Sequence, residues 1–256
     1  MSQTIAKEME QHTYGIMNDV EDKHWWFVGR RAILESFLNQ IIQQIRNPQS
    51  AIRILDVGCG TGANLEMLKQ FGESEGVDVS DDALEFCRKK GLKVHQGLAE
   101  ELPFADESFD LVTALDVVEH LDDDVAGLKE MHRVLKKDGK TLIFVPAFMW
   151  LWGVQDDISN HRIRYTRPQI VERLEKAGFT IERATYANIT FFAPILIGRV
   201  LMKLTGIKPE SENNVNISAL NGFFGKIFSS EKYWLKGANF PFGVSIVIVA
   251  KKTGGK

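Results

Sequence analysis

From Ile52 onward the chain alternates between two hydrophobic rhythms. Short apolar runs at 52–57, 75–79, 92–96, 109–115 and 140–145 are separated by segments whose apolar residues recur every three or four positions, as Val125, Leu128, Met131 and Leu135 do. Runs of that length bounded by turn residues predict strands, and the three-to-four spacing predicts one face of a helix. Helices are expected over 64–71, closed by Gly72, and over 81–90, where Ser80 is placed to cap the first turn. Thr166-Arg167-Pro168-Gln169 reads as a capping box opening another helix, which Gly178 ends. Two later runs, 179–186 and 243–251, bring the strands to seven. Strands alternating with helices predict an α/β fold with a doubly wound, Rossmann-like sheet.

The flanks of this pattern behave differently. Residues 1–50 are expected to form a helical cap on a core of 51–256. In the cap, the cluster His24-Trp25-Trp26-Phe27-Val28-Gly29-Arg30-Arg31 runs into an amphipathic helix to about Arg46, which Asn47-Pro48-Gln49-Ser50 breaks. Residues 187–241 form an insertion before the last strand. It holds an apolar segment (189–204), a polar stretch from Lys208 to Ser218, and an aromatic run including Phe223, Phe224, Phe228, Tyr233 and Trp234. That order suggests a mobile cover over something apolar. The 189–204 segment is shorter than the roughly 20 apolar residues of a membrane span, and Pro194 and Arg199 interrupt it. An interfacial or lid helix is the expectation.

Candidate chemistry begins at Arg53-Ile54-Leu55-Asp56-Val57-Gly58-Cys59-Gly60-Thr61-Gly62, an apolar strand ending in an acid and a turn with glycine at every second position. Glycines there let a ligand come against the backbone. A carboxylate at the strand end repels phosphate and suits a cation, an amine or a ribose hydroxyl. The expected ligand is a nucleoside with a positively charged tail. Gly58, Gly60 and Ala63 also satisfy the dinucleotide fingerprint, but Asp56 and the third alternate glycine, Gly62, fit D-x-G-x-G-x-G better. Asp78 ends the second strand, where an acid accepts from both ribose hydroxyls in nucleoside-binding folds of either kind.

On these motifs the chain resembles the class I S-adenosylmethionine (SAM) methyltransferases, in the ubiquinone-biosynthesis-like type 11 group. Gly97-Leu98-Ala99-Glu100-Glu101-Leu102-Pro103-Phe104 followed by Ser108-Phe109-Asp110 is similar to that family's adenine-edge pattern, with Leu98 standing where an acid is common. Ala114-Leu115-Asp116-Val117-Val118-Glu119-His120 resembles its motif after the fourth strand. Three further pieces narrow the resemblance to a bacterial subgroup often linked to cell-envelope glycan or lipid pathways. They are the His24–Arg31 cluster, Pro146-Ala147-Phe148 through Asp156 to His161-Arg162-Ile163-Arg164-Tyr165, and Pro241-Phe242-Gly243-Val244-Ser245. The resemblance implies SAM as cofactor and S-adenosyl-L-homocysteine as product. It places Asp56, Gly58, Cys59, Gly60, Gly62, Asp78, Val79, Leu98, Ala99, Leu115 and Asp116 at the cofactor, with Cys59 a small filler.

Trp25, Trp26 and Phe27 either close over the cofactor or anchor a helix, and Arg30 or Arg31 would meet its carboxylate. His161 is the first candidate base, equally a candidate for fixing its own loop. His120 is second and His24 third. The acidic trio Asp122-Asp123-Asp124, next to Glu119 and His120, reads as a helix N-terminus in preference to a Mg²⁺ site of the kind some quinone O-methyltransferases hold, so no metal is expected.

Composition adds exclusions. Hydrophobic content of 44% and charged content of 25% over 256 residues suit one globular domain. A net charge of -3 argues against nucleic-acid binding. Two cysteines give no disulfide framework, and residues 1–12 show no signal peptide, which points to the cytoplasm. The expected function is methyl transfer from SAM to a small or lipid-linked apolar acceptor, with O-methylation placed ahead of C- or N-methylation. The expected molecule is a monomer or dimer with peripheral membrane contact through 189–204. The alternatives are a non-catalytic SAM-binding regulatory or assembly protein, and an NAD(P)-dependent oxidoreductase. The latter lacks a Tyr-x-x-x-Lys dyad, since Tyr14, Tyr165, Tyr186 and Tyr233 lead to Asn18, Gln169, Thr190 and Gly237.

Overall fold

A computed structural model describes residues 11–45, 51–206 and 220–253. The expected break at Asn47–Ser50 and the polar stretch 208–218 lie outside the described residues. Seven strands form one sheet: β1 (Arg53–Val57), β2 (Glu73–Asp78), β3 (Val94–Gln96), β4 (Phe109–Leu115), β5 (Leu135–Pro146), β6 (Phe179–Ala187) and β7 (Ser245–Lys252). Their order is β3-β2-β1-β4-β5-β7-β6. The first five are parallel, and β7 lies antiparallel between β5 and β6. This is the doubly wound α/β sheet that the alternating pattern predicts. Every residue of β4 is buried, as expected of a central parallel strand covered on both faces.

The helices are α1 (Gln11–Val20), α2 (Trp25–Gln44), α3 (Ala63–Leu68), α4 (Asp81–Lys89), α5 (Asp124–Val134), α6 (Val154–Ile158), α7 (Arg167–Lys176), α8 (Phe192–Thr205) and α9 (Asn221–Trp234). Alternate strand residues point to opposite faces. Leu55, Val112, Ile143 and Ile248 meet Leu128 and Met131 of α5 and Ile170 and Leu174 of α7. Their neighbours Ile54, Leu111, Leu142 and Val247 meet Ile33 and Phe37 of α2 and Phe228 of α9.

Several boundaries move for local reasons. β3 starts later than expected because the Leu92 N–H turns back to the Cys87 carbonyl and finishes α4. β5 starts earlier, since Leu135 pairs with Phe109 ahead of an irregularity in register. The aromatic–basic cluster does not precede its helix but forms the first turns of α2, and His24 is the N-cap, its ring accepting from the Trp26 N–H. His24 is thereby a capping residue packed on Trp25 and Phe27.

Candidate cofactor and acceptor site

The turn after β1 carries positive φ at Gly58 (67°), Gly60 (52°) and Gly62 (95°). Gly60 is the informative one. A Cβ built on it would meet nothing within 4 Å, so its backbone lies open to a ligand. The Gly60 N–H donates to Asp78 Oδ2 at 2.8 Å, and the Ser80 N–H to Asp78 Oδ1 at 3.0 Å. Burial pushes the Asp78 pKa up, while the Ser80, Gly60 and Val79 amides oppose it. Gly60, Asp78, Val79, Leu98 and Ala99 line one end of a cavity of about 1610 Å³. Small-molecule sites occupy roughly 300–1,000 Å³, so this one has room for a nucleoside and a second molecule.

Asp56 does not line the cavity. It is 1% exposed. Its Oδ1 accepts from Thr113 Oγ1 at 2.6 Å, and Oδ2 has no partner among the described residues. Burial raises its pKa to about 7 against the pull of the Thr113 bond. The expectation that Asp56 faces the ligand is corrected to a buried acid behind the glycine turn. The Cys59 thiol is buried as well, its bond to Cys87 and its burial pushing its pKa up.

Arg30 shapes the middle of the cavity. It is buried between the Trp26 ring (5.4 Å to the centroid) and Phe144 (5.2 Å). Its Nη2 donates to the Leu115 carbonyl at 3.0 Å and pairs with Asp116 at 2.9 Å. Asp116 sits at φ 61°, a backbone position costly for a residue with a side chain. Arg30 holds it there. Arg31 donates to the Glu21 carbonyl at 2.6 Å and lies 3.5 Å from Asp22. Both arginines border the cavity; these donors go to protein groups, while Arg30 Nε has no partner among the described residues. Glu21 was not foreseen. Its carboxylate accepts from Thr61 Oγ1 at 2.8 Å, strapping the segment between α1 and α2 to the glycine turn.

The other end of the cavity gathers His120, His161, Asp156 and Arg164. His161 Nδ1 is 2.8 Å from Asp156 Oδ1, and the His120 and His161 rings lie 4.7 Å apart. Arg164 Nη1 donates to the same Asp156 oxygen at 2.7 Å, and its other nitrogens donate to the carbonyls of Ala147 and Val244. Burial works to raise the Asp156 pKa, but the His161 bond and the Arg164 charge hold it well below the usual carboxylate range. Burial and the His161 charge lower the His120 pKa to about 3. Glu119, fully buried beside them, is pushed well above its ordinary value by burial and by Asp116.

Asp156 was visible in the sequence only as a motif member, and Glu119 only as a neighbour of His120. The acidic trio is engaged elsewhere. Asp123 caps α5, Asp124 accepts from Tyr165 Oη at 2.9 Å, and Asp122 pairs with Arg162.

A seven-stranded sheet with an antiparallel seventh strand, an open glycine turn and an acid at the end of β2 is the arrangement of the SAM methyltransferase fold. Residues 55–143 match the family described as "Methyltransferase domain". The chain is 33% identical over 142 residues to demethylmenaquinone methyltransferase of Chlorobaculum parvum, a match covering 52% of this chain and 55% of that one. A SAM-dependent methyltransferase of Thermotoga maritima superposes with a TM-score of 0.60 at 23% identity, over 96% of this chain and 100% of that one. Phosphoethanolamine N-methyltransferase 2 of Haemonchus contortus, solved with SAM, gives 0.52 at 22% identity, over 85% of this chain and 52% of that one. The chain spans little more than half the length of the first curated relatives it matches, 55% and 58%. Residues 55–143 thus resemble a methyltransferase domain, and the sheet has the fold of SAM-dependent methyltransferases.

Proposed function

We propose that this chain transfers a methyl group from SAM to a small or lipid-linked apolar acceptor, with oxygen the preferred methyl-accepting atom. One observation carries this reading: a single cavity runs from Gly60 and Asp78, past Asp116, to the His120–His161 pair and the inner face of α8. Asp78 would accept from the ribose hydroxyls. Leu98 and Ala99 would flank the adenine, while Gly58, Gly60, Gly62, Leu115 and Asp116 would frame the rest of the cofactor. The acceptor would lie against Pro194, Ile195 and Met202, which give that end its apolar lining.

Methyl transfer is an in-line displacement. The acceptor oxygen forms a bond to the methyl carbon as the carbon–sulfur bond breaks, and the bonding pair returns to sulfur as a neutral thioether. Alignment and exclusion of water are the protein's main contributions. Activation of an acceptor hydroxyl falls to the histidine end of the cavity, where His161 is oriented by Asp156. In this reading 1–50 is a cap on the 51–256 core, and 187–241 forms the acceptor side. Among the described residues no helix is long and apolar enough to cross a membrane. The proposed setting is the cytoplasm, with α8 against a membrane surface.

Calorimetric titration with SAM, S-adenosyl-L-homocysteine and NAD tests the cofactor assignment. Both sulfur nucleosides should bind in the micromolar range and NAD should not. Asp78→Ala should weaken SAM by about two orders of magnitude, the loss expected for buried bonds to a charged group. Asp78→Asn, which keeps an acceptor for the Gly60 amide, separates ribose binding from support of the turn. NAD binding alone would overturn the reading.

A further inference from the structure

Two histidines and one glutamate converge where the acceptor would lie. Suitable atoms of Glu119, His120 and His161 all lie within 4.8 Å of one another. Glu119 is fully buried, yet neither of its carboxylate oxygens has a hydrogen-bond partner. Buried polar groups are nearly always satisfied, and a carboxylate left bare is costly. Glu119 Oε1 instead points toward His161 Nε2 at 3.9 Å, too far for a hydrogen bond. Ion–ligand bonds of about 2.0–2.2 Å bridge such a gap with little side-chain movement.

The histidines are also held from behind. His161 Nδ1 bonds to Asp156, which Arg164 fixes in turn, so the Nε2 lone pair faces Glu119. His120 is bonded to the Asn160 backbone. A histidine tied through one ring nitrogen to a carboxylate or backbone group, with the other directed at a common point, is the arrangement that orients metal ligands.

We propose that Glu119, His120 and His161 bind a divalent transition-metal ion. Two imidazoles and one carboxylate favour an ion of the zinc type over magnesium or calcium, which take oxygen ligands. Three protein ligands leave a coordination position open toward the cavity, as catalytic metal sites do. Resting on the methyl-transfer reading above, that position receives the acceptor's hydroxyl oxygen. The ion polarises the O–H bond, its proton passes to water at the cavity mouth, and the oxygen is left to attack the methyl carbon. Where the Mg²⁺ reading of the sequence joined Glu119 and His120 to the acidic trio, this site takes His161 from a distant loop in place of the trio.

The test uses the full chain, stripped with a chelator and titrated with Zn²⁺ by calorimetry and with Co²⁺ by visible absorption. One ion should bind per chain, with a Co²⁺ ligand-field spectrum. Glu119→Gln and His161→Ala should each weaken binding by at least about a hundredfold, and Asp156→Asn by about ten- to a hundredfold. SAM titration of the same variants, with affinity unchanged, shows that they are folded. Absence of stoichiometric uptake by the wild type, or undiminished uptake by Glu119→Gln, overturns the proposal. Metal uptake by a chain that binds no SAM would leave the site standing and remove the methyltransferase reading.

Discussion

Asp56 and Asp78 are both acids at the ends of neighbouring parallel strands, yet they do different work. Asp78 faces the cavity, supported by the Gly60 and Ser80 amides. Asp56 is sealed behind the turn with one oxygen unpartnered among the described residues. Folding raises the Asp56 pKa to about 7 by burial. The folded chain therefore holds a proton that the unfolded chain releases near its ordinary value. Stability should fall as pH climbs from about 4 through 7 and be unaffected below that window. Melting temperatures across that range should show a decline of a few degrees that Asp56→Asn largely removes. An identical slope in the variant would assign the decline to other groups. The sequence distinguished these acids by strand position alone, and position does not report whether a carboxylate is covered. The position of Asp78 beside the glycine turn was legible, because the turn fixes what lies next to it. The pairing of Arg30 with Asp116 was not legible, because it joins segments far apart in the chain.

At the scale of elements, the three distinctive stretches of the sequence converge on one cavity. Arg30 of α2 fixes Asp116 after β4, and the loop after β5 supplies Asp156, His161 and Arg164. The segment before β7 supplies the Val244 carbonyl that accepts from Arg164. Their presence was legible and their meeting was not, since it is made by bonds between segments far apart in the chain. Gly29 marks where α2 packs on α9. A Cβ there would lie 2.4 Å from Phe228 Cδ1 and 2.7 Å from Phe228 Cβ, so the helices would have to part. Gly29→Ala should destabilise the fold by about 1–3 kcal/mol, the usual cost of overpacking a filled core. Thermal denaturation would show this as a drop of several degrees, and an unchanged melting temperature would mean that α9 yields freely. Strand and helix positions were the most legible layer, because the apolar rhythm reflects which face each residue buries. Strand ends shifted where a backbone bond, such as Leu92 to Cys87, overrode that rhythm.

For the whole molecule, α8 sets an apolar surface beside the cavity it lines. Ile197, Val200 and Leu204 are exposed, Leu204 at 78%, while Pro194, Ile195 and Met202 border the cavity. Lys203 lies on the same helix. If this face meets lipid, the chain should co-sediment with vesicles containing anionic phosphatidylglycerol, more weakly as salt rises. Ile197→Glu with Leu204→Glu should abolish that binding and leave SAM affinity intact. Wild-type protein remaining in the supernatant would remove the membrane contact.

The sheet order has a separate consequence for biosynthesis. Among the described residues, β6 bonds to the rest of the sheet only through β7, which is translated after it. A ribosome that has released residues 179–187 but not 245–252 presents a nascent chain with the margins of β5 and β6 both unpaired. Bare strand margins of this kind recruit other chains. Through that interval the nascent chain depends on rapid elongation or a chaperone to stay out of aggregates, and β7 closes both margins at once.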